Sequence, residues 1–276
     1  MMFDIKIRLI NMLGLLTIIV LIGLVLDYRN IIKRPMRIGM GLAMLGITAG
    51  IFLTLSAVLP ENHVFGRVFS NKETTQKVVA LTFDDGPYPP YTGQVLDVLK
   101  EYHVPATFFV VGQNVEKYPE LVKRISVEGH QLGNHTYHHV DLLKVDRKVI
   151  AEEIDNTNKA IVAATGISPH LMRPPHGFRD PAVMEMMAER NLKVVEWSVM
   201  SRDWTNPGVD VIVERTVNKV KNGSIVLLHD GDGITSQASR MQSVEATRRI
   251  IQILSAQGYR FVTVDEILDK TEDVKG

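Results

Sequence analysis

The sequence predicts an α/β fold, a small β/α barrel preceded by two transmembrane helices, on three observations. From Val78 onward, short β-rich runs alternate with amphipathic stretches in about six β-α steps, the pattern of parallel sheets with helices outside. Before them stand two long runs without a charged residue. Acidic, histidine and arginine residues also recur at or just beyond the C-terminal ends of the proposed strands, the end at which a β/α barrel does its chemistry.

The N-terminal runs come first. Residues 9–26 and 38–59 are uncharged over 18 and 22 residues. At 1.5 Å per residue they reach about 27 and 33 Å, enough for a hydrocarbon core near 30 Å. Residues 1–60 are therefore expected to be a membrane anchor with the lipid bilayer as partner. The connector holds Arg29, Lys33, Arg34 and Arg37 and favours the cytoplasm, which places everything after Pro60 outside, as a multi-pass protein of the cell membrane with an extracellular catalytic domain. Lys6, Arg8, Arg67, Lys72 and Lys77 weigh the other way. A cleaved signal peptide is the rival, but the stretch from Val25 to Arg29 lacks a small-residue cleavage pattern. Residues 61–77 read as a polar tether.

In the remainder, 78–276, strands are predicted at 78–83, 107–111, 131–133, 171–173, 193–198, 224–228 and 260–264. Helices are predicted at 91–102, 119–128, 146–165, 181–190, 209–221 and 242–257, several of them stopped by Gly129, Gly166, Gly223 or Gly258. A doubly wound open sheet is the alternative, though no glycine-rich dinucleotide turn follows the first strand.

Composition narrows the function. Residues 1–60 hold six Lys/Arg and two acids, so a chain of zero net charge leaves a mildly acidic globular part with no footprint for nucleic acid. The absence of cysteine excludes a disulfide scaffold, a thiolate zinc site and a thiol nucleophile.

The chemistry-bearing residues follow the strands. Asp84-Asp85-Gly86-Pro87 ends an apolar run with paired carboxylates, although alone it would be an ordinary turn. His135 and His139 are four apart, which on a helical turn would aim both rings at one point, as a metal requires. One carboxylate and two imidazoles can then hold a divalent cation, zinc first and cobalt, nickel or iron also suitable, with a second carboxylate left as base. His130 and His138 are placed outside that shell. Arg173 precedes a stiff Pro174-Pro175-His176-Gly177 loop, Asp203-Trp204 follows the fifth strand, and the run from Ser224 to Leu228 delivers His229. Each of these has an unremarkable reading as well: a rigid turn, a surface carboxylate beside a packed indole, a core histidine.

In this order and spacing the five segments resemble the polysaccharide deacetylase family, also called carbohydrate esterase family 4 or NodB-like deacetylases, over about 78–268. The resemblance implies a distorted (β/α) barrel. It also implies that Asp84 is the general base, that Asp85, His135 and His139 hold the metal, and that Arg173 orients Asp84. His229 would be the general acid held by Asp203, with Trp204 and Leu227 forming the acetyl pocket and the His176 position supplying an oxyanion-binding N–H. Two places depart from the family pattern: Met200 stands where many relatives have Asp, and His176 where an aromatic is usual. The expected activity is metal-dependent removal of acetyl groups from N-acetylglucosamine residues of an envelope polysaccharide, peptidoglycan first. Chitin oligomers, poly-N-acetylglucosamine, an O-acetyl ester, or a catalytically silent glycan-binding module are the alternatives. A zinc protease is disfavoured because no His-Glu-x-x-His segment occurs.

Overall fold

The structure, a computed structural model, describes residues 22–23, 34–235 and 238–269. The chain divides into two units, Met1–Ala57 and Val58–Gly276. Helix α1 (Arg34–Val58) contains an uncharged 18-residue stretch, Gly41–Val58, only 11% buried, unlike the core helix of a soluble protein. Among the described residues it is the one helix long and apolar enough to cross a bilayer. The other expected span, 9–26, lies outside the described residues apart from Ile22 and Gly23.

The second unit is built on a parallel sheet of β1 (Val68–Phe69), β2 (Val78–Asp84), β3 (Thr107–Val110), β4 (Gln131–Asn134), β5 (Leu171–Met172), β6 (Lys193–Val195), β7 (Val199–Met200), β8 (Ser224–His229) and β9 (Arg260–Phe261). The strand order is β1-β6-β5-β4-β3-β2-β8-β7, with β9 beside the start of β2. Helices α2 (Tyr91–Glu101), α3 (Gly112–Lys117), α4 (Pro119–Val127), α5 (Arg147–Thr165), α6 (Pro181–Glu189), α7 (Val209–Val217), α8 (Met241–Ala256) and α9 (Val264–Asp269) complete it.

Period-two alternation divides β2 between two cores. Val79, Leu81 and Phe83 pack with residues of α2 and α8, whereas Val78 and Ala80 join Phe109, Leu171, Val195 and Ile225 in a separate cluster inside the curl of the sheet. Thr82 and Asp84 continue that inner row, so an apolar plug gives way to a polar site within one strand. On β8, Val226 and Leu228 belong to the outer cluster and Ile225 to the inner one, which puts Leu227 and His229 on the inner row as well.

The observed sheet is coarser than a closed barrel: a curled parallel half-barrel with edges at β1 and β7. The expected strand 193–198 keeps only Lys193–Val195 as β6, and the chain then changes partners: Glu196 N still donates to Phe69 O of β1, whereas Ser198 N donates to Ile225 O of β8, and β7 follows at Val199–Met200. The last expected strand, 260–264, keeps two residues before α9 begins, and the helix expected over 209–221 ends at Val217. Residues 61–77, read in the sequence as a tether, contribute β1, which pairs with β6 and buries Val68.

Arg179 joins the start of this unit to the loop ahead of α6. Fully buried, it donates from Nη2 to Leu59 O and Asn62 O at 2.7 Å each, and from Nη1 to Gly177 O at 2.9 Å, with Glu196 Oε1 3.4 Å away. Arg179→Met strands Glu196 and the carbonyls of Asn62 and Gly177 without a donor, and breaking a buried pair of this kind costs about 3 kcal/mol. A thermal unfolding curve of the variant that overlays the parent's would contradict this.

Candidate active site

Adjacent parallel strands bring the site together. Asp84 is the register partner of His229 across β2 and β8, and Val110, Asn134 and Met172 are partners across β3, β4 and β5. The residues directly after these strand ends therefore meet at one rim.

At its centre, ligand atoms of Asp85, His135 and His139 lie within 4.8 Å of one another. Asp85 Oδ1 is 3.3 Å from His135 Nε2 and 3.0 Å from His139 Nε2. His135 Nδ1 is 2.7 Å from Arg173 O; a carbonyl can only accept, so Nδ1 carries the proton and Nε2 presents its lone pair to Asp85. Asp85 Oδ1 is buried and lacks a hydrogen-bond donor among the described residues. Acceptors converging in this way fit a divalent cation, and the donor set of one carboxylate and two imidazoles suits zinc. Burial would push the Asp85 carboxyl up, but the charge of His139, with a smaller contribution from His229, holds it well below the usual range. Burial likewise opposes a charge on His139, and Asp85 overrides it and raises that ring's pKa.

The two histidines are not on a helical turn, as their spacing suggested. Residues 135–140 form an irregular loop in which Thr136 and His139 have φ of 65° and 55°, and it is this left-handed backbone that turns both rings inward. His138 faces away, with Nδ1 2.7 Å from Glu153, and His130 packs against Phe108 and accepts from Ala106 N.

Beside this cluster, Asp84 Oδ1 accepts from Arg173 Nη1 at 2.7 Å, while Oδ2 lies 3.9 Å from His135 Nε2. Arg173 is fully buried and also donates to Thr82 Oγ1, Val195 O and Glu196 O, with its guanidinium 4.1 Å above the Phe109 ring. So held, it can position a carboxylate.

Opposite, His229 Nδ1 is 2.8 Å from Asp203 Oδ1, and Asp203 Oδ2 accepts from His229 N at 2.8 Å. Ser201 and Ser243 also donate to Asp203, which is wholly buried. Burial works against a charged imidazole, but Asp203 outweighs it, and the His229 pKa is raised to about 9. His229 is thus a proton donor at neutral pH. The Trp204 indole meets it edge-on at 5.0 Å, and Leu227 is buried two residues earlier on β8.

His176 lies across from His139, ring centroids 5.2 Å apart, in a turn where it and Gly177 both have positive φ. Burial and the neighbouring His139 and His135 lower its pKa to about 4, so it is neutral. The structure brings all the predicted site residues to one rim. Sequence reasoning missed Thr82, Ser201, Ser243, Glu153 and Asn134. Thr82 was readable from the two-residue period of β2, but Ser243 and Glu153 sit on helices far along the chain and carried no signal.

Comparison with known proteins agrees with this geometry. The family model described as polysaccharide deacetylase matches residues 71–195. A peptidoglycan-N-acetylglucosamine deacetylase of Bacillus cereus is 43% identical over 76% of this chain and 94% of its own length. A chitooligosaccharide deacetylase of Rhizobium leguminosarum bv. trifolii is 42% identical over 69% and 92%. Among solved structures, a peptidoglycan N-acetylglucosamine deacetylase superposes with a TM-score of 0.69 at 37% identity, covering 72% of this chain and 92% of that one. With sequence likeness across nearly the full length of such relatives, and a curled parallel sheet matching theirs, this chain belongs to the polysaccharide deacetylase family.

Proposed function

We propose that this chain is a metal-dependent hydrolase that removes acetyl groups from N-acetylglucosamine residues of peptidoglycan, releasing acetate and leaving a free amine. The observation that carries the reading is the pairing of a cation-fitting cluster with an orienting Arg173–Asp84 pair on one side and an Asp203-bound His229 on the other. Asp85, His135 and His139 would hold one divalent ion, zinc by preference, and cobalt, nickel or iron are compatible with the same donors. When bound, the ion polarises the amide carbonyl and acidifies water.

Asp84, fixed by Arg173, takes a proton from the attacking water, whose oxygen bonds to the carbonyl carbon. The C–N bond then breaks, its electron pair goes to nitrogen, and His229 supplies the proton that lets the amine leave. Asp203 holds the imidazole in the orientation that keeps Nε2 as donor. The N–H of His176 stabilises the oxyanion, and Trp204 with Leu227 encloses the acetyl methyl.

The anchor reading is part of the same proposal. Two spans, 9–26 and 38–59, keep residues 61–276 on the outer face of the cell membrane, where the envelope polymer lies. The relatives named for peptidoglycan and for chitooligosaccharides divide the substrate question between them. Acetate release by the full chain in detergent, measured on peptidoglycan, chitin oligomers, poly-N-acetylglucosamine and an O-acetyl ester, separates the choices. Peptidoglycan is expected to be deacetylated fastest. Higher kcat/KM on chitin oligomers would move the assignment to them, and binding without acetate release from any of the four would leave a glycan-binding module.

A further inference from the structure

We infer that Glu153 is a positioning residue for the metal cluster, acting through the backbone between the two histidines; the inference rests on reading His135 and His139 as ligands. Glu153 lies on α5, far along the chain from the loop it serves, and is 5% exposed. Its Oε2 accepts from Tyr137 N at 2.8 Å and His138 N at 2.7 Å, and its Oε1 is 2.7 Å from His138 Nδ1. Among the described residues no Lys or Arg pairs with it; the charge is met by two consecutive N–H dipoles and one imidazole.

Two further N–H groups of this loop are also taken. His135 N donates to Val110 O and Thr136 N to Asn134 Oδ1. Of the five residues from His135 to His139, four therefore have their N–H set by β3, by β4 or by Glu153 before the chain reaches the second ligand, and the ring of His139 depends on where Tyr137 and His138 are placed. The start of α3 holds two carbonyls of this loop, Gly112 N donating to Thr136 O and Gln113 N to Tyr137 O, but the N–H groups of Tyr137 and His138 have no backbone ladder, and the buried carboxylate takes that part. Outer partners of this kind typically change metal affinity by about 10–100-fold when lost.

The test is zinc affinity of the full chain in detergent, by competition with a chromophoric chelator, alongside thermal unfolding of the chelated protein. Glu153→Ala is expected to weaken zinc about 10–100-fold. Glu153→Gln keeps one oxygen to accept both N–H groups, so it should fold and recover most of that affinity. His138→Ala, which removes only the ring contact, should stay within about twofold of the parent. Two results would overturn the inference: Glu153→Ala lowering the melting temperature while the zinc affinity of the folded fraction stays at the parent value, or His138→Ala weakening zinc as much as Glu153→Ala does. Failure of the parent itself to bind one equivalent of zinc would instead remove the metal reading on which the inference stands.

Discussion

Asp84→Asn lowers kcat by about 10²–10⁴-fold, the usual worth of one general base, and leaves zinc bound. The substitution is nearly isosteric, and the Asn side-chain oxygen can still accept from Arg173 Nη1, now 2.7 Å from Asp84 Oδ1. Arg173 also keeps its bonds to Thr82, Val195 and Glu196 and its stacking on Phe109, so the buried guanidinium is not stranded. What disappears is the Arg173-oriented carboxylate beside the cluster, able to take a proton from water and not needed as a ligand. The loss belongs in kcat with KM little changed, because the interaction is made only in the transition state. Initial rates of acetate release, paired with a zinc titration of the same preparation, check both halves. Parent-like turnover would remove Asp84 as base, and loss of zinc with turnover would make it a ligand instead.

How much of this could be read in advance differs from residue to residue. The inner row Thr82, Asp84 and the parallel run delivering His229 were legible because strand periodicity is local, and the ends of apolar runs mark where a sheet meets solvent. Spacing alone misjudged His135 and His139: four residues apart suggests a helix, but the chain leaves strand β4 only at Asn134, and the positive φ of Thr136 and His139 is incompatible with a helical turn. The early end of β6 at Val195 and the fresh start of β7 at Val199 were hidden for a related reason. A short β-rich stretch gives no sign that its start pairs near one end of the sheet and its continuation at the other, since that depends on β1 and β8, each far away in sequence. β1 itself is two residues in a polar stretch, too short for any pattern, and gains its place only by docking on β6.

Asp203→Asn moves the alkaline limb of the rate profile toward acid. The His229 pKa of about 9 is the outcome of burial, which lowers it, against the Asp203 carboxylate, which raises it more, with smaller help from Asp85 and Asp84. Activity of the parent should therefore fall as pH rises through about 9, or somewhat lower once a cation offsets Asp85. With Asn at 203 burial prevails and the pKa drops to its ordinary 6.5 or below. Ionisation alone then removes about 30-fold of the rate at pH 8, and the loss shrinks as pH is lowered toward 6. Stability follows the same sign. A histidine raised from 6.5 to about 9 on folding contributes roughly 3 kcal/mol, fully present below 6.5 and lost as pH climbs through 9. Because the Asp203 pKa is itself lowered, burial notwithstanding, by His229 and Ser243, the pair persists well into acid. Thermal unfolding of parent and Asp203→Asn should therefore differ most between pH 5 and 7 and converge above 9. A variant that kept the parent's alkaline limb would show that the donor of the leaving-group proton is not the imidazole Asp203 holds.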